Sequence, residues 1–200
     1  RLLQEGSETE LDRILLDSIR DPLIHLIRNS IDHSIESTEV RLEKGKSEVA
    51  FLVLRAAHQN GTVIVEVIDD GAGIDYERVR QRAISRGLIS VEKAHALNHK
   101  ELVDLIFLPG FSTRDTITNL SGRGVGMDVV KNNIENIGGS IEITSVPNEG
   151  THVKLKIPLT LAILPTLFVR CAEEIFLIPQ NRILELVRFA PNQPNNGIED

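Results

Sequence analysis

"NLSGRGVGMDVVKNNIE", residues 119–135, poses the question on which the fold turns. Gly122, Gly124 and Gly126 alternate with larger residues and run straight into an amphipathic segment. Many folds place such a loop under phosphates. The dinucleotide fingerprint G-x-G-x-x-G directly follows a strand. Here the third glycine falls one residue early, Met127 takes its place, and the preceding "RDTITNL" reads as turns. No G-x-x-x-x-G-K-[ST] occurs, which excludes a P-loop. The glycines still let the backbone approach an anion, and the N–H groups opening the Met127–Ile137 helix can bind phosphate. A tight lid turn would use the same residues, so the loop alone leaves the fold open.

Working outward, "GMDVVKNNIENIGG" is a helix stopped by two glycines, and "SIEITSV", "PNEG" and "THVKLKIPL" form a hairpin. Upstream lies a long loop, "LPGFSTRDTITNLSGRG". Before it, "NHKELVDLIF" opens with Asn98 and Glu101 at capping-box spacing, and "YERVRQRAISRGL" is a short helix closed by Gly87. "VAFLVLRAAHQNGTVIVEVIDDGAGID" is a second hairpin around "HQNG", ending in an Asp/Gly loop. The strongest helical signal is "TELDRILLDSIRDPLIHLIRNSIDHSIES", where Asp21-Pro22 reads as an interruption with Asp21 as N-cap. From Pro22 on, Ile24, Ile27, Ile31 and Ile35 recur at helical spacing as its apolar face. The opening "RLLQ" resembles a truncated strand. This order specifies an α+β fold, a two-layer α/β sandwich with helices on one face of a largely antiparallel sheet. Near residues 158–160 the character shifts to short strands and a Pro/Asn-rich end. The expected organisation is a domain over 1–159 and an incomplete all-β segment over 160–200, since about 40 residues do not bury a core alone.

Composition narrows the function. A net charge of −7 argues against nucleic acid or an anionic membrane surface as partner. Cys171 is the sole cysteine, so no intrachain disulfide forms, which fits a reducing, cytoplasmic setting. The N-terminus shows no signal-peptide core. The most apolar stretch, "IPLTLAILPTLFV", is too short to cross a bilayer and holds two prolines, so a soluble chain is expected.

The long helix carries a polar face. At about 100° per residue, His25, Asn29, Asp32, His33 and Glu36 share one arc. A solvated face is the ordinary explanation, but Lys and Glu would serve solubility better than two His and one Asn. His25 and His33 stand roughly 12 Å apart along the axis, which rules out a shared zinc ion. Asn29 suits a hard cation such as Mg²⁺ beside phosphate oxygens, with His25 one turn earlier as base or hydrogen-bond donor.

"HLIRNSIDHSIE", "DDGAGID", "FLPGFST" and "SGRGVGMDVV" occur in order at suitable separations. Together they resemble the four boxes of the catalytic domain of the CheA family of chemotaxis sensor histidine kinases. That domain's ATP-binding (Bergerat) fold is shared with the gyrase, Hsp90 and MutL ATPases. The likeness runs from about Ser7 to Leu161 and continues into what resembles the opening strands of an SH3-like, CheW-like coupling domain. The resemblance implies that Asp69 accepts the adenine amino hydrogen bond, with Gly71 and Gly73 leaving room for the base. It implies that Asn29 ligates Mg²⁺ and that Asp32, His33, Ser112, Thr113 and Arg114 lie near the phosphates of ATP. Gly122, Gly124 and Gly126 would wrap those phosphates, and Thr151 would support the adenine-side hydrogen bonds. Phe107 and Phe111 would pack the lid rather than touch ATP.

Hydrolytic members of this superfamily carry a Glu four residues before the helix Asn, where it activates water. Here that position is His25. The resemblance therefore implies transfer of the γ-phosphoryl group to a histidine on a separate phosphotransfer domain, probed against two rivals: an ATP hydrolase and a non-catalytic scaffold. Arg114 would stabilise charge and His25 would deprotonate the acceptor. Response regulators, a CheW-like coupling protein and chemoreceptors are the further partners implied, and a monomer is expected because no dimerisation helices resemble the family's. Ser34 stands where the family has Gly, a small-for-small exchange of little expected consequence.

Overall fold

The computed structural model describes residues 1–109, 111, 126–159, 166–172, 174–180 and 183–185. Two compact units are present, Arg1–Leu161 and Ala162–Asp200. In the first, five strands form a sheet in the order β1-β2-β3-β5-β4. These are β1 (Leu2–Glu5), β2 (Leu52–Gln59), β3 (Thr62–Asp69), β4 (Ser140–Val146) and β5 (Gly150–Pro158). All pairings are antiparallel except β1 with β2. The β2–β3 turn is Asn60-Gly61, both at positive φ, which matches the right-handed twist of the flanking strands.

The first helix, α1 (Arg13–Asn29), runs straight through Pro22, which corrects the expected interruption. Its N-cap is Asp12, whose carboxylate accepts from Ile14 N at 2.8 Å. Pro22 removes one ladder hydrogen bond, but it is buried in line with Leu15, Ile19 and Leu26, and that packing holds the helix together. A second correction concerns the apolar face. Ile24 and Ile31 are 49% and 55% exposed, and the core stripe lies about half a turn away. Both stripes have helical spacing, so periodicity does not distinguish them.

Beyond Asn29 the chain loosens into one π-turn, Ser30–Ser34, and Ile35 is extended. This bulge ends the wheel on which Glu36 was placed beside Asn29. Glu36 instead joins a separate ion network described below. The further helices are α2 (Thr38–Glu43), α3 (Tyr76–Ser85), α4 (Val91–Ala96), α5 (His99–Leu105) and α6 (Met127–Asn136). The Asn98/Glu101 capping box is formed on α5. Gly87 and Gly138, both at positive φ, close α3 and α6.

The core lies between the sheet and helices α1 and α6. Leu15, Ile19 and Leu26 meet Val63, Val65, Val67, Val153, Leu155 and Ile157, with Val130 and Ile134 from α6. A second cluster, Val79, Ala83, Leu102 and Phe111, binds α3 to α5. Phe107 and Phe111 are both buried. The second unit contributes one described hairpin, β6 (Thr166–Cys171) with β7 (Glu174–Pro179). Among the described residues no helix is long and apolar enough to cross a membrane.

Candidate functional site

β3 ends at Asp69 and Asp70 follows it directly, and the two carboxylates find different partners. Asp70 is locked by Arg41, whose Nη2 donates to Oδ2 at 2.7 Å, and by Phe51 N on Oδ1 at 2.9 Å. Asp69, 5% exposed, has no ion pair among the described residues. Its Oδ1 accepts from Gly71 N at 3.1 Å and Thr151 N at 3.3 Å. Burial pushes its carboxyl above the ordinary aspartate value, while hydrogen bonds from Ser30, Gly71, Thr151 and Ser34 pull the other way without cancelling it. A buried carboxylate held only by neutral donors is costly to maintain unless its charge is used.

Close backbone approach surrounds it. A Cβ on Gly71 would lie 2.2 Å from the Ser34 carbonyl oxygen, and one on Gly150 would lie 1.9 Å from the Asp69 carbonyl oxygen. Gly150 also holds φ +131°, a region closed to side chains. Gly73, at φ +71°, turns the loop against Val146. Ala72 N donates to Ser34 O and Asn148 N donates to Ala72 O, both at 2.7 Å, so the loop is stitched to the π-turn on one side and the β4–β5 turn on the other. Thr151 pairs in register with Asp69, and its Oγ1 lies 3.3 Å from Ser145 Oγ. Ser145 Oγ also accepts from Ile74 N at 2.8 Å.

The helix end of the site is sparser. Asn29 Nδ2 donates to Met127 Sδ at 3.4 Å, a contact that engages the amide nitrogen and not the oxygen. An amide oxygen is a hard donor, so Asn29 fits the ligand type that Mg²⁺ requires. His25 is half-buried and held below the ordinary imidazole value, first by desolvation and then by the charges of Arg28 and His33, with Asp128 opposing. Neutral at physiological pH, it can accept a proton. Gly126 is the N-cap of α6 with extended backbone and no side-chain cap, and a Cβ there would lie 2.3 Å from Asp128 Oδ1. Only that side-chain tip lies so close, so a methyl group there would displace the Asp128 carboxylate rather than the backbone.

Ser30 and Ser34, one turn apart, connect the two ends because both hydroxyls reach Asp69 from the segment that begins beside Asn29. His33 is exposed on this segment. Asp32 is also exposed and lines a surface cavity of about 350 Å³ with Ile24, Ile27, Arg28 and Ile31 instead. Ser112, Thr113, Arg114, Gly122 and Gly124 lie outside the described residues.

The residues that sequence reading missed are mostly those behind the loop. Arg41, only 1% exposed, donates to Glu36, Ser47 O and both the carbonyl and carboxylate of Asp70. Lys46 adds Glu36 Oε1 at 3.0 Å. Burial raises the Glu36 carboxyl, but hydrogen bonds from Lys46 and Lys44 bring it below its usual value overall. "VRLEKGK", residues 40–46, was the available signal, and it reads as an ordinary solvated run.

The buried carboxylate at the end of β3, the asparagine ending α1 and the glycine opening α6 are carried by one five-stranded unit, whose family the comparisons show. The profile described as "Histidine kinase-, DNA gyrase B-, and HSP90-like ATPase" matches residues 18–161, and the chain belongs to that family. Within it, the chain is 49% identical over 180 residues to the chemotaxis protein CheA of Bacillus subtilis, covering 90% of this chain and 27% of that one. It is 47% identical over 192 residues to the sensor histidine kinase CheAY of Helicobacter pylori, covering 96% and 24%. The chain thus spans about a quarter of the length of these relatives. Among solved structures, the catalytic domain of the histidine kinase ThkA is similar at 23% identity and a TM-score of 0.47, covering 80% of this chain and 78% of that one.

Proposed function

We propose that this chain binds Mg·ATP and transfers the γ-phosphoryl group to a histidine on a separate phosphotransfer domain, for relay to response regulators in the cytoplasm. The observation that carries the reading is Asp69: a buried carboxylate with neutral donors only, beside a glycine that leaves no room for a Cβ. Such a group accepts from the 6-amino group of adenine, where guanine presents a carbonyl instead. Gly71 and Gly73 keep side chains away from the base, and Thr151 fixes the carboxylate from β5.

Asn29 would hold Mg²⁺, which supplies charge neutralisation on the phosphates. Asp32, His33, Ser112, Thr113, Arg114, Gly122, Gly124 and Gly126 are proposed to border the phosphates. His25, kept neutral by burial, takes the proton released by the acceptor imidazole as its nitrogen bonds phosphorus and ADP departs. No carboxylate occupies His25's position, which supports transfer over hydrolysis. The relatives' printed names, a chemotaxis protein and a sensor histidine kinase, support the same assignment. The C-terminal unit would engage a CheW-like coupling protein and chemoreceptors.

The test is incubation with γ-labelled Mg·ATP and a separate histidine phosphotransfer domain. Label in the acceptor from the wild-type chain, absent with Asp69→Asn, supports the reading. Unlabelled acceptor together with free phosphate would show a hydrolase instead, and neither product would leave a scaffold.

A further inference from the structure

The ammonium of Lys46 spends all three of its donors on one task. Nζ lies 3.0 Å from Glu36 Oε1, 2.8 Å from the Asp70 carbonyl and 2.7 Å from the Gly71 carbonyl. Its side chain is 14% exposed, and that of its counter-ion Glu36 is 7% exposed. Two successive carbonyls converging on one cation fix the curvature of the turn between them. The Asp70–Gly71 peptide, whose carbonyl Lys46 holds, donates its N–H from Gly71 to Asp69 Oδ1 at 3.1 Å. Gly71 is therefore held at its carbonyl by Lys46 and presented at its amide to Asp69. Arg41 anchors the neighbouring Asp70 from behind, so the loop cannot shift as a block.

We infer that Lys46 is a positioning residue for base recognition, setting through the Gly71 peptide the orientation in which Asp69 meets an adenine amino group. This rests on the ATP reading above. Lys44 supplies an internal comparison, since it reaches the same Glu36 carboxylate at 3.4 Å but donates to no loop carbonyl in the described contacts. Loss of a network charge alone would be felt at both lysines. Loss of loop position is felt only at Lys46.

The experiment measures binding of ATP and GTP to the whole chain by titration calorimetry, for wild type, Lys46→Met and Lys44→Met. Lys46→Met is expected to weaken ATP about tenfold, as misplacement of a recognition group does, and to collapse the preference for ATP over GTP. Lys44→Met keeps both within about twofold. In an Asp69→Asn background Lys46→Met adds no further loss, because the two act as one unit. Should Lys46→Met not fold, Lys46→Arg carries the test, since a planar fork keeps the charge but cannot meet three converging acceptors. Equal effects at the two lysines, an unchanged nucleotide preference, or full additivity with Asp69→Asn overturns the role. A wild-type chain that binds no adenine nucleotide overturns the ATP reading itself, and the positioning role with it.

Discussion

At the strand end of the site, Asp69 is buried and held by two backbone amides and two hydroxyls, on a loop stitched to three other segments. At the helix end, His25 and Asn29 are half-buried, and the described contact of the Asn29 amide is a weak one to a thioether. One end is organised before any ligand arrives, and the other is left for the ligand to complete. A flat aromatic base is recognised by fixed hydrogen-bond geometry, which rewards rigidity. Phosphates that must travel and leave are served by groups that can adjust. On the proposed function, the contrast would separate selection of the nucleotide from its chemistry.

Four substitutions would break or sharpen that contrast. Gly150→Ala strikes the rigid end hardest. Its φ of +131° and the 1.9 Å approach to the Asp69 carbonyl leave no place for a methyl group, so a loss on the order of 3 kcal/mol in urea unfolding is expected. Asp69→Asn comes next for binding, with ATP affinity falling on the order of a hundredfold as a charge-assisted hydrogen bond is lost.

The same variant should behave oppositely in stability. Because burial raises the Asp69 carboxyl in the folded chain, ionising it opposes folding. Its favourable share is present only below the ordinary aspartate value of about 3.9 and is lost as pH rises through the higher folded value. Asp69→Asn is thus more stable than wild type at pH 7, and the gap closes toward pH 4 in thermal melts. A residue whose removal stabilises the fold while abolishing binding is kept for function.

At the adjustable end the effects are smaller. Asn29→Ala should lower only the Mg²⁺-dependent part of ATP affinity, by about tenfold, leaving metal-free nucleotide binding close to wild type. His25→Gln is the mildest for stability. The imidazole is held below its ordinary value in the folded chain, so wild type loses stability as pH falls from about 6.5 through that lower value. The Gln variant lacks that loss, which melting curves between pH 7 and pH 5 would show. If His25 is the proton acceptor, its phosphotransfer drops while ATP still binds.

Local chemistry made much of the fold legible. Asn60-Gly61, the Asn98/Glu101 capping box and the glycines after α3 and α6 each specify their own geometry, and each is found as expected. The β strands announced themselves through β-branched runs, and the domain's family was legible because four short motifs kept their order. The face of α1 was not legible, because two apolar stripes satisfy the same period and only the sheet decides between them. Nor was the π-turn, which takes Glu36 off the helix wheel into the Arg41 network.

Of the site, Asp69, Gly71 and Thr151 could be named in advance and are brought together by strand register. Ser34 was read as a harmless replacement for glycine, yet its hydroxyl is a donor to Asp69 and its carbonyl receives Ala72. Arg41 and Lys46 escaped notice because a buried cation and a solvated one look alike in sequence.

On the proposed function, Asp69 selects adenine. Competition of ATP against GTP for the wild-type chain and for Asp69→Asn tests it most directly. Wild type is expected to prefer ATP by at least about tenfold, one charge-assisted hydrogen bond's worth, and the preference to disappear in the variant. A preference of unchanged size in Asp69→Asn would contradict it.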